Sequence, residues 1–327
     1  MIKQIKRVIF ALTFIFPLTI RAEIPNELIY NLKATIVKVR SVNQAGGKSL
    51  GTGVVVAENK VATNCHVIAD AIGIDIHAMG EGYQPVALQA DWRHDVCILD
   101  FQFLPLKPAV LGDSENLKDE EPIFSIGCPG GAPKPLTTFG SVKALYPFDG
   151  SNVIRISTSF QMGASGSPVF NERGEVIGLS TFKSPGRLNA FYYNVPIKWV
   201  KEAMNLPQTD LNQKHQHAFW EAELDKKPYW MQIVIPLQNE DWQSVERIVK
   251  EWISVNPKDQ EARFYNAVIA KHASRLPEAK NILKNILVEN PYHASALAEL
   301  ADIAASENNL PEVEYYKNQL AKFTHEY

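Results

Sequence analysis

Cysteine is scarce in this chain. Its 327 residues hold three, Cys65, Cys97 and Cys128, with no Cys-x-x-Cys pair and no Cys/His spacing that suits a metal. Neither a metal nor a cofactor is expected. A basic surplus is missing too. Lys and Arg number 33 against 36 Asp and Glu, a formal net charge of −3, which gives no reason to expect a nucleic-acid partner. Long apolar runs are also absent near the start. Val8 to Ile20 is a run of 13 residues, interrupted by Thr13, Pro17 and Thr19, which is short for a membrane span. Preceded by Lys3, Lys6 and Arg7 and followed by Ala22, it reads as a signal peptide over residues 1–22. Ile20 and Arg21 before the cleavage point leave a retained N-terminal anchor as the alternative. Cleavage would take the net charge to −7 and give a mildly acidic protein of the periplasm or the medium. It would leave no stable membrane span.

What the chain does contain falls into two patterns. Residues 34–200 alternate short apolar runs with turn residues: Ala34–Arg40, Gly53–Ala57, Val61–Thr63, Ile74–Ala78, Val86–Ala90, Val96–Phe101, Ile123–Gly127, Thr137–Leu145, Val153–Thr158, Glu175–Thr181 and Ala190–Val195. Many short strands with few helices point to an antiparallel barrel or sandwich. Pro196 to Met204 is the first amphipathic helix, and the polar stretch 207–217 reads as a linker. Its Lys214-His215-Gln216-His217 is read as solvated linker, since no further ligand lies nearby.

From residue 218 onward the apolar period is helical. Asn256-Pro257 recurs as Asn290-Pro291, and Leu276-Pro277-Glu278 recurs as Leu310-Pro311-Glu312, both after 34 residues. That period resembles the tetratricopeptide repeat. Ala267, Ala279 and Ala301 fall where its helices pack closely, although Arg263 and Asn266 stand where that family carries its large aromatic and glycine. An earlier unit holds Pro228 and Pro236, which break a regular helix. It is either a degenerate repeat or a segment docked on the front domain.

Three short stretches carry chemistry. Val61-Ala62-Thr63-Asn64-Cys65-His66 ends a strand in a turn that presents His66. In Asp91-Trp92-Arg93-His94-Asp95-Val96 an aspartate opens an apolar strand. Gln161-Met162-Gly163-Ala164-Ser165-Gly166-Ser167-Pro168 sets a serine between glycines. Each alone is unremarkable: a structural histidine, a turn-capping aspartate, a flexible Gly/Ser loop. Together they run His, Asp, Ser with gaps of 29 and 70 residues, the order of the chymotrypsin class.

The chain therefore resembles the trypsin-like serine peptidases, especially the bacterial branch of HtrA proteases and glutamyl endopeptidases. Gly51-Thr52-Gly53-Val54-Val55, Leu111-Gly112-Asp113-Ser114, Ile126-Gly127-Cys128-Pro129-Gly130-Gly131 and Glu175-Val176-Ile177-Gly178 add to the likeness. It implies an all-β double six-stranded antiparallel barrel over residues 23–206, followed by an all-α helical-repeat domain over 218–327. It implies catalytic His66, Asp95 and Ser165, and an oxyanion hole of the Gly163 and Ser165 N–H groups. Ser180 would support the aspartate with its hydroxyl. Ser159 and Phe160 would form the base of a substrate pocket, with Ser180, Thr181, Phe182, Tyr193 and Asn194 as walls. No acid lies at that base and Ser180 replaces the histidine of glutamyl endopeptidases, so small or medium uncharged side chains are expected. Ala164 replaces the aspartate that captures a new N-terminus in chymotrypsin, so no such activation step is expected. If His66 and Asp95 meet, Cys65 and Cys97 lie on neighbouring segments, as a disulfide or as two buried thiols, and Cys128 is left unpaired.

The expected activity is that of an exported serine endopeptidase. Protein or peptide is its substrate, and the repeats serve a protein partner or assembly. The alternatives are a catalytically silent or chaperone-like scaffold with the same fold, and an esterase.

Overall fold

The computed structural model of the chain describes residues 24–184, 190–212, 214 and 216–323. The expected signal peptide and His215 lie outside the described residues. The chain first forms a sheet of seven strands: β1 (Ile36–Asn43), β2 (Lys48–Ala57), β3 (Lys60–Thr63), β4 (Ala71–Ala78), β5 (Glu81–Tyr83), β6 (Ala87–Asp91) and β7 (Val96–Asp100), in spatial order β5-β4-β1-β2-β3-β7-β6. Six more close into a barrel: β8 (Pro122–Gly127), β9 (Leu136–Phe148), β10 (Ser151–Ile156), β11 (Pro168–Asn171), β12 (Val176–Lys183) and β13 (Tyr192–Pro196), in order β10-β13-β12-β11-β8-β9. Every pairing between neighbouring strands is antiparallel.

The first sheet differs from the expected closed barrel. Its end strands β5 and β6 do not pair, because β5 is only three residues long and largely exposed. The free edge of β6 is covered instead. Leu88 exchanges two backbone hydrogen bonds, 3.0 and 2.8 Å, with Thr209. The backbone of the expected linker is thus partly paired, which shields an exposed strand edge.

All eleven expected strands have counterparts. Two more were not foreseen. β5 is polar, and β11 is a four-residue strand hidden behind the Ser165 turn. The helix α1 (Asn26–Lys33) was not foreseen either. It has no side-chain cap to announce it, and it buries Ile29 and Leu32. α2 (Ile197–Ala203) lies where the amphipathic pattern put it and buries Trp199 completely.

The C-terminal part is all helical: α3 (Tyr229–Gln232), α4 (Val234–Gln238), α5 (Trp242–Val255), α6 (Gln260–His272), α7 (Leu276–Glu289), α8 (Ala294–Ser306) and α9 (Leu310–Leu320). The starts of α5, α7 and α9 are 34 residues apart, as are those of α6 and α8. Capping fixes several of these starts. Asp241, Asp259 and Asn309 accept from the N–H three residues on. Ala267, Ala279 and Ala301 are buried, so neighbouring helices approach closely.

Pro228 and Pro236 keep α3 and α4 short, and this segment docks on the closed barrel. Trp230 stacks on Tyr146 at 4.7 Å and lies 5.0 Å from Tyr193, while Phe219 meets Phe148 at 4.6 Å. One apolar core runs from the barrel into the helices. Truncating a buried ring such as Trp230 costs about 3–5 kcal/mol, a large share of a typical total stability of about 5–15 kcal/mol.

Cys65 and Cys97 form a disulfide with Cα atoms 4.9 Å apart, and Cys128 is a buried free thiol. Alkylation of denatured, unreduced protein should therefore modify one cysteine, and alkylation after reduction all three. Mass spectrometry reads the count, and three labels without reductant would contradict the bridge.

Candidate active site

The site lies between the open sheet and the closed barrel. His66 sits on a single 3-10 turn, Cys65–Val67, that follows β3. Asp95 ends the turn between β6 and β7 and adopts a left-handed backbone, φ 59°. A non-glycine residue rarely does so, and such strain gathers at functional sites. The conformation directs both ends of Asp95 at residues 64–66. Its carbonyl accepts from Asn64 Nδ2 at 2.9 Å and from the Cys65 N–H at 3.4 Å. Its carboxylate accepts the His66 backbone N–H at 2.8 Å and lies 2.6 Å from His66 Nδ1. A third donor, Trp220 Nε1, reaches the same Oδ2 at 3.3 Å.

Asp95 is 1% exposed, whereas a quarter of the His66 side chain meets solvent. With Nδ1 donating to Asp95, neutral His66 keeps Nε2 free as a base. Burial pushes its pKa down, but the Asp95 carboxylate and, more weakly, Glu221 outweigh it and hold the imidazole above its ordinary value.

Ser165 arrives on a turn from the other barrel. Ala164 N–H donates to Gln161 O at 3.0 Å, which closes a turn with Gly163 at φ 90°. Positive φ at that position suits glycine. A Cβ on Gly163 would also stand 2.9 Å from the Gly130 nitrogen and 3.0 Å from the Cys128 oxygen. The Met162 carbonyl accepts from Gly130 N–H at 2.6 Å. In a trans peptide the Gly163 N–H then points the opposite way. Among the described residues, neither the Gly163 nor the Ser165 N–H donates to an acceptor, and no hydrogen bond closes between Ser165 and His66.

Thr52 of β2 fastens this turn to the first sheet. Its N–H donates to Ser165 O at 2.8 Å and its hydroxyl to Gly163 O at 2.9 Å. The same hydroxyl accepts Cys128 N–H at 2.9 Å, and Thr52 O accepts the Thr63 hydroxyl at 2.8 Å. Gly166 must be glycine here, since a Cβ would stand 2.1 Å from Thr52 O and 3.2 Å from Asn64 N. The serine turn therefore rests against the residues that lead into His66.

Residues 51–179 match the pattern that defines the trypsin-like peptidase domain. The β-rich part of this chain is a trypsin-like peptidase domain. A protein of Pseudomonas putida described as a "Probable periplasmic serine endoprotease DegP-like" is 31% identical over 184 residues, 52% of this chain and 37% of that relative. A serine protease of Mycobacterium tuberculosis is 26% identical over 48% of this chain and 42% of its own length. The chain thus spans well under half the length of these relatives. In fold, the active form of the M. tuberculosis Rv3671c protease agrees at a TM-score of 0.51, with 21% identity, over 59% of this chain and 91% of that one. An HtrA-type protease with tripeptide gives 0.50 at 20% identity, over 54% and 61%.

Within this trypsin-like domain several expected pocket residues have other surroundings. Asn194 is fully buried, and its amide donates to Ile154 O at 3.0 Å across the β10–β13 pair. Tyr193 is 1% exposed in a stack with Phe182 at 4.8 Å and lines a cavity together with it. Thr181 is buried at a register shift in β12 and accepts from Asn64 Nδ2 at 3.1 Å. Among the described residues the buried Ser180 hydroxyl has no hydrogen-bond partner, so it does not support Asp95. Ser159 is exposed, and Phe160 packs on Tyr192 at 5.1 Å. Phe182 stacks on Trp220 at 5.4 Å and lines a cavity of about 410 Å³ with Tyr193, Trp220, Glu221, Leu224 and Met231.

Sequence reasoning missed Trp220, Glu221 and the clamping role of Thr52. Only Thr52 stood in a recognised motif. Thr52→Val keeps the shape and removes the hydroxyl, so Gly163 O and Cys128 N lose their buried partner. Chemical denaturation should show a loss of about 1–3 kcal/mol. The Gly163 and Ser165 N–H groups are then less well held, and if they serve as the expected oxyanion donors, hydrolysis of an ester or peptide substrate should show kcat lowered on the order of tenfold.

Proposed function

We propose that the chain is an exported serine endopeptidase that acts through Ser165, His66 and Asp95. The observation that carries the reading is the double hold of Asp95 on His66, through the ring Nδ1 at 2.6 Å and the backbone N–H at 2.8 Å, with the glycine-flanked serine turn packed against the same segment. A serine hydroxyl is a weak nucleophile until a base takes its proton. Ser165 Oγ attacks the peptide carbonyl carbon as His66 Nε2 takes the hydroxyl proton. Asp95 stabilises the imidazolium. The Gly163 and Ser165 N–H groups receive the oxyanion, each contributing roughly 3 kcal/mol to lowering the barrier. Collapse breaks the C–N bond, and the leaving amine takes the proton from His66. Water then gives its proton to His66 and cleaves the acyl ester, freeing the acid and Ser165.

The DegP-like relative described as periplasmic supports a periplasmic destination. The 34-residue helical period supports a domain that binds a protein partner or assembles copies. The absence of an acid at the expected pocket base, Ser159 and Phe160, supports cleavage after small or medium uncharged side chains.

The open Ser165–His66 contact favours one rival, a silent scaffold with the same fold. A fluorophosphonate probe separates the two. Wild type is labelled and Ser165→Ala is not; no labelling of folded wild type would leave the scaffold. The pH profile tests the electrostatics. His66 must be neutral to act as base, so kcat/KM falls as pH drops through its raised pKa. Glu221→Gln removes one of the charges that raise it, and the acid limb should move to lower pH.

A further inference from the structure

The Asp95 carboxylate has an unexpected third partner, and it comes from outside the peptidase domain's matched span. Trp220 lies on a 3-10 turn, Phe219–Glu221, at the head of the helical part. Its Nε1 donates to Asp95 Oδ2, the oxygen that also faces His66 Nδ1. Its ring meets the His66 ring edge-on at 5.5 Å and stacks on Phe182 at 5.4 Å, 18° from parallel. The hydroxyl expected to serve this carboxylate, Ser180 Oγ, is buried without a partner.

The turn is firmly seated. Phe219 N–H donates to Arg93 O at 3.0 Å, two residues before Asp95. Ala218 and Phe219 are buried, and Phe219 packs against Phe148 and Trp230. Ala218 N–H also donates to Glu221 Oε2 at 2.8 Å, which fixes the turn from within.

We infer that Trp220 is a positioning residue of the active site, its indole N–H holding the Asp95 carboxylate in the orientation that presents His66 as a base. The inference rests on the peptidase reading above. It means that the helical part completes the active site. A buried carboxylate needs its lone pairs occupied, and a donor to a charged group is stronger than a neutral one. The N–H also places a partial positive charge beside Asp95, which opposes the carboxylate's pull on the His66 proton. The charges that bear on His66 are Asp95 from the β6–β7 turn and Glu221 from the helical segment.

Trp220→Phe in the full-length protein keeps an aromatic ring against His66 and Phe182 and removes the donor along with part of the indole. The benzothienyl analogue of tryptophan at position 220 removes the donor and keeps the full shape. Both should label with fluorophosphonate more slowly than wild type, lower kcat about tenfold and leave KM nearly unchanged. The acid limb of kcat/KM should move to higher pH, opposite to its movement in Glu221→Gln. A residue that only braces the fold would not produce that opposition. Equal kcat and an unmoved pH profile in the benzothienyl protein would overturn the inference while the peptidase reading stands. Faster turnover in either variant would also overturn it and make Trp220 a cover over the cleft. Wild type that neither labels nor cleaves would end the peptidase reading, and this inference with it.

Discussion

The four hydrogen bonds of Thr52 are the joint on which the site depends. His66 and Ser165 come from separate β units, and small slippage between them would part the two. Thr52 belongs to the first sheet yet grips the Gly163 and Ser165 carbonyls of the second. All four partners are backbone or buried hydroxyl groups that would otherwise go unsatisfied, so each bond is costly to break. The glycines around it follow from this closeness: Gly163 and Gly166 sit where any Cβ would strike the backbone.

The same economy governs Asp95. One residue in a strained conformation uses its carbonyl to hold Asn64 and Cys65 and its carboxylate to hold His66. The disulfide ties the two segments that carry His66 and Asp95. His66 is thereby held in one orientation, which would lower the reorganisation needed in the proposed reaction.

How much of this was legible depended on range. His66, Asp95 and Ser165 lie in stretches whose local chemistry is distinctive: strand-turn-His, Asp opening a buried strand, Ser between glycines. Strands with β-branched alternation were readable for the same reason. β11 was not, because its four residues, fully buried and headed by a proline, show no alternation and follow directly on the Gly/Ser turn. Asn194 was assigned to a pocket by likeness, but its amide is turned into the barrel to donate to Ile154 O, whereas Tyr193 does line a cavity. Trp220 gave no local signal at all. It stands in an aperiodic segment, and its role exists only because the fold brings it across 125 residues to Asp95. Ser180 misled in the complementary way, since its position matched while its hydroxyl found no partner.

The continuous core from the closed barrel into the helices has a consequence for how the molecule comes apart. Tyr146, Tyr193 and Phe182 on one side and Phe219 and Trp230 on the other share one packed interior. Neither side can melt without exposing the other's aromatic surface to water. The first helices are thus fixed against the barrel by a shared core and are not a tethered arm. Loss of the helical fold would also withdraw Trp220 and Glu221 from His66 and Asp95, so on the proposed reading a damaged molecule falls silent before it can cut indiscriminately.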